Sequence, residues 1–570
     1  MRILRTLALV ALAAAPLFCA KPDPVFDGMK TELGRAATLS LGQLEKPYFI
    51  SFSIDEGMSW SASATFGAIV GENSSPFRAG EVQLRVGDYK FDNSNFGSSG
   101  GARFDLRSFP LDDDPLAVRQ YLWLATDSAF KGALQTIARK RAALGSVTVS
   151  EQLPDFGAAP KINISSDYVP VKFDAKAWAT RVKNASAAFN AFPALRTGFV
   201  DYTALDGYHR MVSTEGTEIR KQEELGTIQI RASAQSPDGM VVRDWAVLYS
   251  ASLDKMPSEA QITAAAKETG ESVMKLAAAP MGEAYSGPIL FEGVAGPQLL
   301  AEVLGRNLYI ARKPVVPRGS PGGAASSELE GRRGVRIMPE MFDVVDDPSR
   351  PLFGHEEVDD EGVRAAKISL VEKGVLKDFL RTRLPVRGSS ESNGHARMQG
   401  GGPAPTNLIV TSRETSPLTE LRKKMIDLAQ QRGLGYTIVV RKLDFPSTAP
   451  VEEARKIIAA AGQGHPVSQP LRVFKLYADG HEEQIRGVRL RGVNARSLKD
   501  ILFAGDDSVT FDYVENGAPL GLIGYGNSNA TVSVVGPSLL IDDLELIKID
   551  DELPKLPLVA PPAMPASASK

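Results

Sequence analysis

From Pro47 to Phe96 apolar and polar positions alternate through YFISFSIDEG, WSASATFGAIVG and EVQLRVGDYKFDNSNF. A period of two marks half-buried strands, and Gly57, Gly71 and Gly87 divide the run, so an antiparallel layer is predicted. The period then lengthens. Asp112-Asp113-Asp114-Pro115 precedes LAVRQYLWLATDSAF, which places Asp114 as a helix cap and Pro115 at the first helical position. Three aspartates also suit a metal, but the cap accounts for them. This helix is expected to continue through Lys131 to Leu144, with Arg139-Lys140-Arg141 as a solvated face near its end. A second helix is expected from Asp174 to about Ala191, then strands at His209–Thr214, Thr227–Gln235 and Met240–Ala251. Ser258-Glu259-Ala260-Gln261 is a capping box opening a further helix to about Leu276.

The stretch around which the chain is organised is Pro288 to Gly305, PILFEGVAGPQLLAEVLG. Pro288–Phe291 reads as a short apolar strand. Gly296-Pro297 opens a helix whose Leu299, Leu300, Val303 and Leu304 repeat at helical spacing, and Gly305 stops it. A strand running into a helix brings free N–H groups and the strand end to one spot, a common place for a site. Zinc peptidases hold the metal with two histidines on a helix, and a glutamate on the same helix activates the bound water. Glu292 stands at this junction with no histidine beside it. A hydrogen-bonded or solvated carboxylate is its ordinary role.

The remaining candidates are weaker. His355-Glu356 with Asp359 has helical spacing for a metal pair, yet Gly354 and the Asp359-Asp360-Glu361-Gly362 turn predict a loop. His395 lies in a glycine-rich loop, expected to face solvent, with a cleft-lining role for it and His355 as the alternative. His465 and His481 sit among polar turn residues and are assigned nothing. Gly400-Gly401-Gly402 lacks the following lysine and hydroxyl of a phosphate loop, and Pro403 removes an N–H, so a loop over a cavity is expected. No serine nucleophile elbow stands beside a suitable histidine.

Composition narrows the setting. The 570 residues suffice for two or three domains, and 65 lysines and arginines nearly balance 68 acids with no long basic run, so no nucleic-acid partner is indicated. The first twenty residues, with Arg2, Arg5 and an apolar run from Leu7, read as a signal peptide, with Lys21 as the mature N-terminus and a periplasmic or secreted location. Cys19 offers a lipoprotein alternative that Phe18 opposes. It is the only cysteine, so a chain cut after Ala20 has no disulfide or thiolate ligand. No later segment has the roughly 18 consecutive apolar residues of a membrane helix. Arg312–Gly334 is too rich in Pro, Gly and Ser to hold a core, and Asp551–Lys570 is expected to be disordered.

Several blocks resemble the TldD/PmbA family: RVGDYKFDNSNF, VSTEGTEIR (Val212–Arg220), Val344–Arg383 with its aspartate-aspartate-glutamate-glycine turn and Gly374 hairpin, SNGHARMQGGGPAPTNLIV (Ser392–Val410) and VVGPSLLIDDLEL (Val534–Leu546). The resemblance implies an α+β fold: an N-terminal two-layer region (21–195), a central strand-rich segment (196–285) and a C-terminal domain dominated by antiparallel sheet (286–550). It implies zinc metallopeptidase chemistry, with an HExxxH motif on the first helix of the C-terminal domain. Placed on FEGVAG, the motif keeps Glu292 and puts Phe291 and Gly296 at the ligand positions. The family's third ligand, a cysteine, is missing from Gly517–Val535. No cofactor is therefore expected. The implied role is a pseudoenzyme subunit, paired as a homodimer or with a catalytic relative, that supports structure or substrate binding in peptide proteolysis. Two alternatives stay open: an active zinc peptidase rebuilt from Glu292, His355 or His395, and a peptide-binding module with no proteolytic role.

Overall fold

The computed structural model describes residues 22–97, 103–106, 109–145, 153–310, 312, 314, 327–389, 391–398, 402–462, 465–526 and 529–549. The expected signal peptide with Cys19 and Lys21, the tail from Asp551, Gly400 and Gly401, and much of the Arg312–Gly334 stretch lie outside them.

The N-terminal half is one seven-stranded sheet with helices on one face. Its strands are β1 (Pro47–Thr65), β2 (Ala68–Val86), β3 (Arg103–Leu106), β4 (Asn163–Ser165), β5 (Leu195–Ser213), β6 (Glu218–Gln235) and β7 (Val241–Ser250). They lie in the order β3-β2-β1-β5-β6-β4, with β7 also on β6, and only β4 pairs in parallel. The helices are α1 (Pro24–Ala36), α2 (Pro115–Leu144), α3 (Ala175–Ser186) and α4 (Glu259–Ala278). Helices α1 and α2 bury Ile50, Phe52, Ile54 and Leu84, while α3 and α4 bury Ala62, Ala64, Tyr202 and Ile230 further along. The alternation of β1 explains the split: its even-numbered residues meet the helices, and the odd-numbered ones, Ser53, Asp55, Ser59, Ser61 and Ser63, project from the other face.

The expected caps form. Asp114 accepts from the Leu116 N–H at 2.9 Å, Asp174 from the Ala177 N–H at 2.9 Å, and Ser258 and Gln261 bond reciprocally. Two expectations are corrected. Gly57 and Gly71 do not end strands, because β1 and β2 each run 19 residues and turn at Phe66-Gly67; Gly57 pairs with Gly207 across β5, where a Cβ would lie 1.9 Å from the Asp206 carbonyl oxygen. The central strand-rich segment 196–285 continues the same sheet, because β5 bonds to β1 along most of its length. Lys140 is not solvated. Its ammonium is buried and donates to the carbonyls of Asp92 (3.0 Å) and Ser94 (2.7 Å) and to Asp155, whose other oxygen holds Arg312 at 3.0 Å.

The C-terminal half begins with β8 (Tyr285–Phe291) and α5 (Ala295–Val303). Strand β8 belongs to a seven-stranded sheet between 436–443, which it pairs in parallel, and 539–548, which it pairs antiparallel. A second, six-stranded sheet contains 342–346, 368–372, 407–412, 530–536 and 509–515. Most pairings in both are antiparallel, so the fold is α+β. Helix α5 lies between the two sheets, and the largest apolar core joins it to both. At the tight turn after 368–372, Gly374 has φ +72°, and a Cβ there would meet the Met338 carbonyl oxygen at 2.2 Å.

Replacing Asp155 by alanine should strand the Lys140 ammonium without its direct carboxylate and release Arg312. Urea unfolding followed by tryptophan fluorescence should show a loss of about 3 kcal/mol, the scale for breaking a buried pair from one side.

Candidate functional site

All nine residues of α5 are buried. A helix packed on two sides cannot keep a polar face, so its few polar groups must be paired. Gln298 does this by donating to the carbonyls of Leu443 (3.2 Å) and Phe445 (2.8 Å) and accepting from the Leu443 N–H at 2.8 Å. At the N-terminal end, a Cβ on Gly296 would lie 2.3 Å from the Pro537 carbonyl oxygen. Any larger side chain there, histidine included, would force the strand connection away.

The residues singled out in the sequence are engaged in different places. Phe291 is wholly buried in the core at the end of β8. Glu292 follows it off the helix, and its carboxylate is bound by Arg422 at 2.7 and 3.0 Å with Arg441 at 3.5 Å. His355 lies exposed on a loop with Nδ1 2.9 Å from the Pro348 carbonyl. His395 is fully buried rather than solvent-facing: Nε2 lies 3.1 Å from Asp346 Oδ1, and Nδ1 lies 2.9 Å from Asn393 Oδ1. Asp359 accepts from the N–H groups of Glu361, Val363 and Ala396, fixing a turn rather than sharing a helix face with His355. Among the described residues no three His, Cys, Asp or Glu side chains are grouped as a metal would require.

A glutamate with the motif's spacing does sit on the first helix of this domain. Helix α5 and the tight turn continuing it, Gly305–Asn307, carry Ala301-Glu302-Val303-Leu304-Gly305-Arg306. In this frame Glu302 is the glutamate, and Ala301 and Arg306 hold the two ligand positions. Sequence reasoning settled on the frame ten residues earlier; the signal for the later one was its place inside the 3.6-residue repeat, where Glu292 is not.

Glu302 is 1% exposed and accepts from Ser468, through N–H at 3.0 and 3.1 Å and through Oγ at 2.8 Å. Burial pushes its carboxyl up to about 7, against the opposing pull of Arg306 and Ser468. Arg306 is half-buried over the Phe445 ring and uses Nη2 for both of its hydrogen bonds, to Glu515 at 3.3 Å and the Ala518 carbonyl at 3.1 Å. Ala518 belongs to the stretch in which the third ligand was expected. Tyr513, 1% exposed, leaves its hydroxyl without a partner, and the half-buried His465 leaves Nε2 without one. Zinc does not fit this set. Ala301 has no donor atom, and Arg306 brings a fixed positive charge where a ligand would donate a lone pair.

A buried helical glutamate between two sheets, with the spacing but not the ligands of a metal motif, defines a metallopeptidase-like protein. Residues 288–439 match the family described as the PmbA/TldA metallopeptidase C-terminal domain. A metalloprotease of Archaeoglobus fulgidus is 44% identical over 72 residues, 13% of this chain and 17% of that protein. One from Methanothermobacter thermautotrophicus is 28% identical over 191 residues, 32% of this chain and 38% of that protein, so the matches span well under half of either relative. TldE from Thermococcus kodakarensis shares the fold, with a TM-score of 0.57 at 11% identity over 91% of this chain and 100% of that one. The chain belongs to the TldD/PmbA family.

The Glu302 carboxyl holds its proton in the folded state up to about pH 7, whereas the unfolded chain releases it near the ordinary value of 4.5. Folding therefore takes up a proton in that window, and this contribution to stability, complete below it, is lost as pH rises through about 7. Glu302→Gln should remove the loss. Denaturation at pH 5 and pH 8 should show the variant gaining on the wild type by about 3 kcal/mol at most, from roughly 1.4 kcal/mol per pH unit.

Proposed function

We propose that this chain is an exported TldD/PmbA-family protein without a zinc site of its own, serving as the structural or substrate-binding partner in peptide proteolysis. The observation that carries this reading is the pair Ala301 and Arg306 flanking the buried Glu302. One cannot ligate, and the other repels a cation. Export rests on the character of residues 1–20. No helix among the described residues is long and apolar enough to cross a membrane. The pairing, with a second copy or a catalytic relative, follows the family resemblance. A peptidase rebuilt from Glu292, His355 and His395 finds little support, since Glu292 is held by arginines and His395 by Asp346 and Asn393.

Elemental analysis of the purified protein should find zinc well below stoichiometric, and it should cleave no unfolded peptide alone. Glu292→Gln should leave peptide binding unchanged. About one zinc per chain, with cleavage abolished by Glu302→Gln, would overturn the reading. Light scattering of the protein alone and with a metal-bearing relative should give a dimer mass in at least one case; a monomer in both would remove the partner role.

A further inference from the structure

Helix α2 turns an apolar stripe to solvent. Leu116, Trp123 and Leu124 lie on its outer face, Leu116 67% and Trp123 44% exposed, and Leu111 is exposed in the loop that leads into the helix. Spacings of four and seven put positions 116, 120, 123, 124 and 127 on one side. Gln120 interrupts the stripe, and Asp127 at its far end pairs with Lys131 at 2.7 Å, so the face carries no net charge. Its neighbour α1 exposes Asp27, Lys30 and Thr31 instead, an ordinary wetted surface.

The chain enters the fold at the foot of this stripe. Helices α1 and α2 run side by side in the same direction: a Cβ on Gly28 would lie 3.2 Å from the Pro115 carbonyl oxygen, and one turn further on Glu32 reaches Arg119 at 3.7 Å. Asp23, the cap of α1, is tied to the approach to α2 by a run of charges. It holds Arg210 at 2.8 Å, Arg210 holds Glu56 at 2.8 Å, and Glu56 holds Arg78, which donates to the carbonyls of Pro110 (2.8 Å) and Asp112 (3.0 Å). The sequence before Asp23 is apolar from Leu7 to Ala15, behind Arg2 and Arg5. Such a segment seats in a bilayer. The five residues from Phe18 to Asp23 reach at most about 17 Å, so a chain still joined to that segment keeps Leu111 and the start of α2 close to the headgroups.

We propose that the outer face of α2 is a membrane-docking surface, laid on the bilayer that takes the apolar N-terminal segment, with Trp123 at the boundary between headgroups and acyl chains. This rests on the reading of residues 1–20 as an export segment and adds the face of the fold that meets the lipid. A tryptophan flanked by leucines on one side of a helix suits that boundary, where the ring has apolar contacts and its N–H stays wet. Asp112 and Asp113 stand exposed at the foot of the stripe and no basic residue occurs from Leu111 to Val118, so the face suits zwitterionic headgroups rather than anionic ones.

The test is tryptophan fluorescence of the full-length chain, residues 1–20 included, reconstituted in phosphatidylethanolamine–phosphatidylcholine vesicles with brominated phosphatidylcholine as the quencher. Trp178 and Trp245 are buried and Trp60 is half-buried, so Trp123 is the reporter. Brominated lipid should quench part of the emission, and Trp123→Phe should remove that quenching. Leu116→Ser with Leu124→Ser should cut it at least twofold while the melting temperature holds, because both side chains are exposed. Emission that brominated lipid leaves unchanged, or quenching that the double substitution leaves unchanged, would overturn the docking. A dimer mass in lipid-free solution, with Trp123 shielded from acrylamide and unquenched on vesicles, would overturn it by assigning the face to a second copy. Export is read separately by cell fractionation: the whole chain recovered from the cytosol would overturn the export reading, whereas the vesicle measurement decides the docking face.

Discussion

The C-terminal half depends on one constraint: α5 is packed between two sheets and has no face left for water. Every side chain on it must be apolar, glycine-thin or individually bonded. Gly296 meets the second condition against Pro537, and Gln298 meets the third by bridging the Leu443–Phe445 backbone. Glu302 meets it only in part, because Ser468 supplies hydrogen bonds but no charge. Its raised pKa is the electrostatic expression of that shortage.

The same demand shapes the junction between the halves. Where charged groups are buried there, they come as networks: Asp244 takes Lys442 at 2.6 Å and Arg472 at 2.8 Å, and Asp444 takes Arg243 at 2.9 Å and the Trp245 indole N–H at 3.0 Å. On the helix-free face of the N-terminal sheet, Lys221 reaches Glu223 at 2.8 Å and Glu356 of the C-terminal half at 3.1 Å. Such contacts fix orientation more than they stabilise, since desolvation offsets much of the Coulomb gain.

Much of this was legible in the sequence because it is local. The caps at Asp114, Asp174 and Ser258 and the turn at Gly374 depend on residues two or three apart, and they appear where short-range chemistry puts them. What could not be read was set across the fold. Gly57 looks like a strand breaker until Gly207 is found opposite it, and Lys140 looks solvated until Asp155 closes over it. His395 resembled a loop histidine because nothing nearby in sequence announces Asp346, 49 positions away. The motif frame failed for a related reason. FEGVAG and AEVLGR both offer a glutamate followed by small or apolar residues, and only the packing of α5 separates the one inside the helix from the one before it.

The arginine at position 306 is the most informative substitution in the site. A metal there would carry two positive charges and could answer two carboxylates, whereas a guanidinium carries one. Glu515 takes the direct contact, reinforced by the Gly517 N–H, and Glu302 is left with the hydroxyl and amide of Ser468. In a low-dielectric interior the unmatched carboxylate is harder to ionise, and burial raises its pKa to about 7. With arginine there, the position offers no lone pair to a cation and spends its charge on Glu515, so the raised pKa of Glu302 follows from the same replacement.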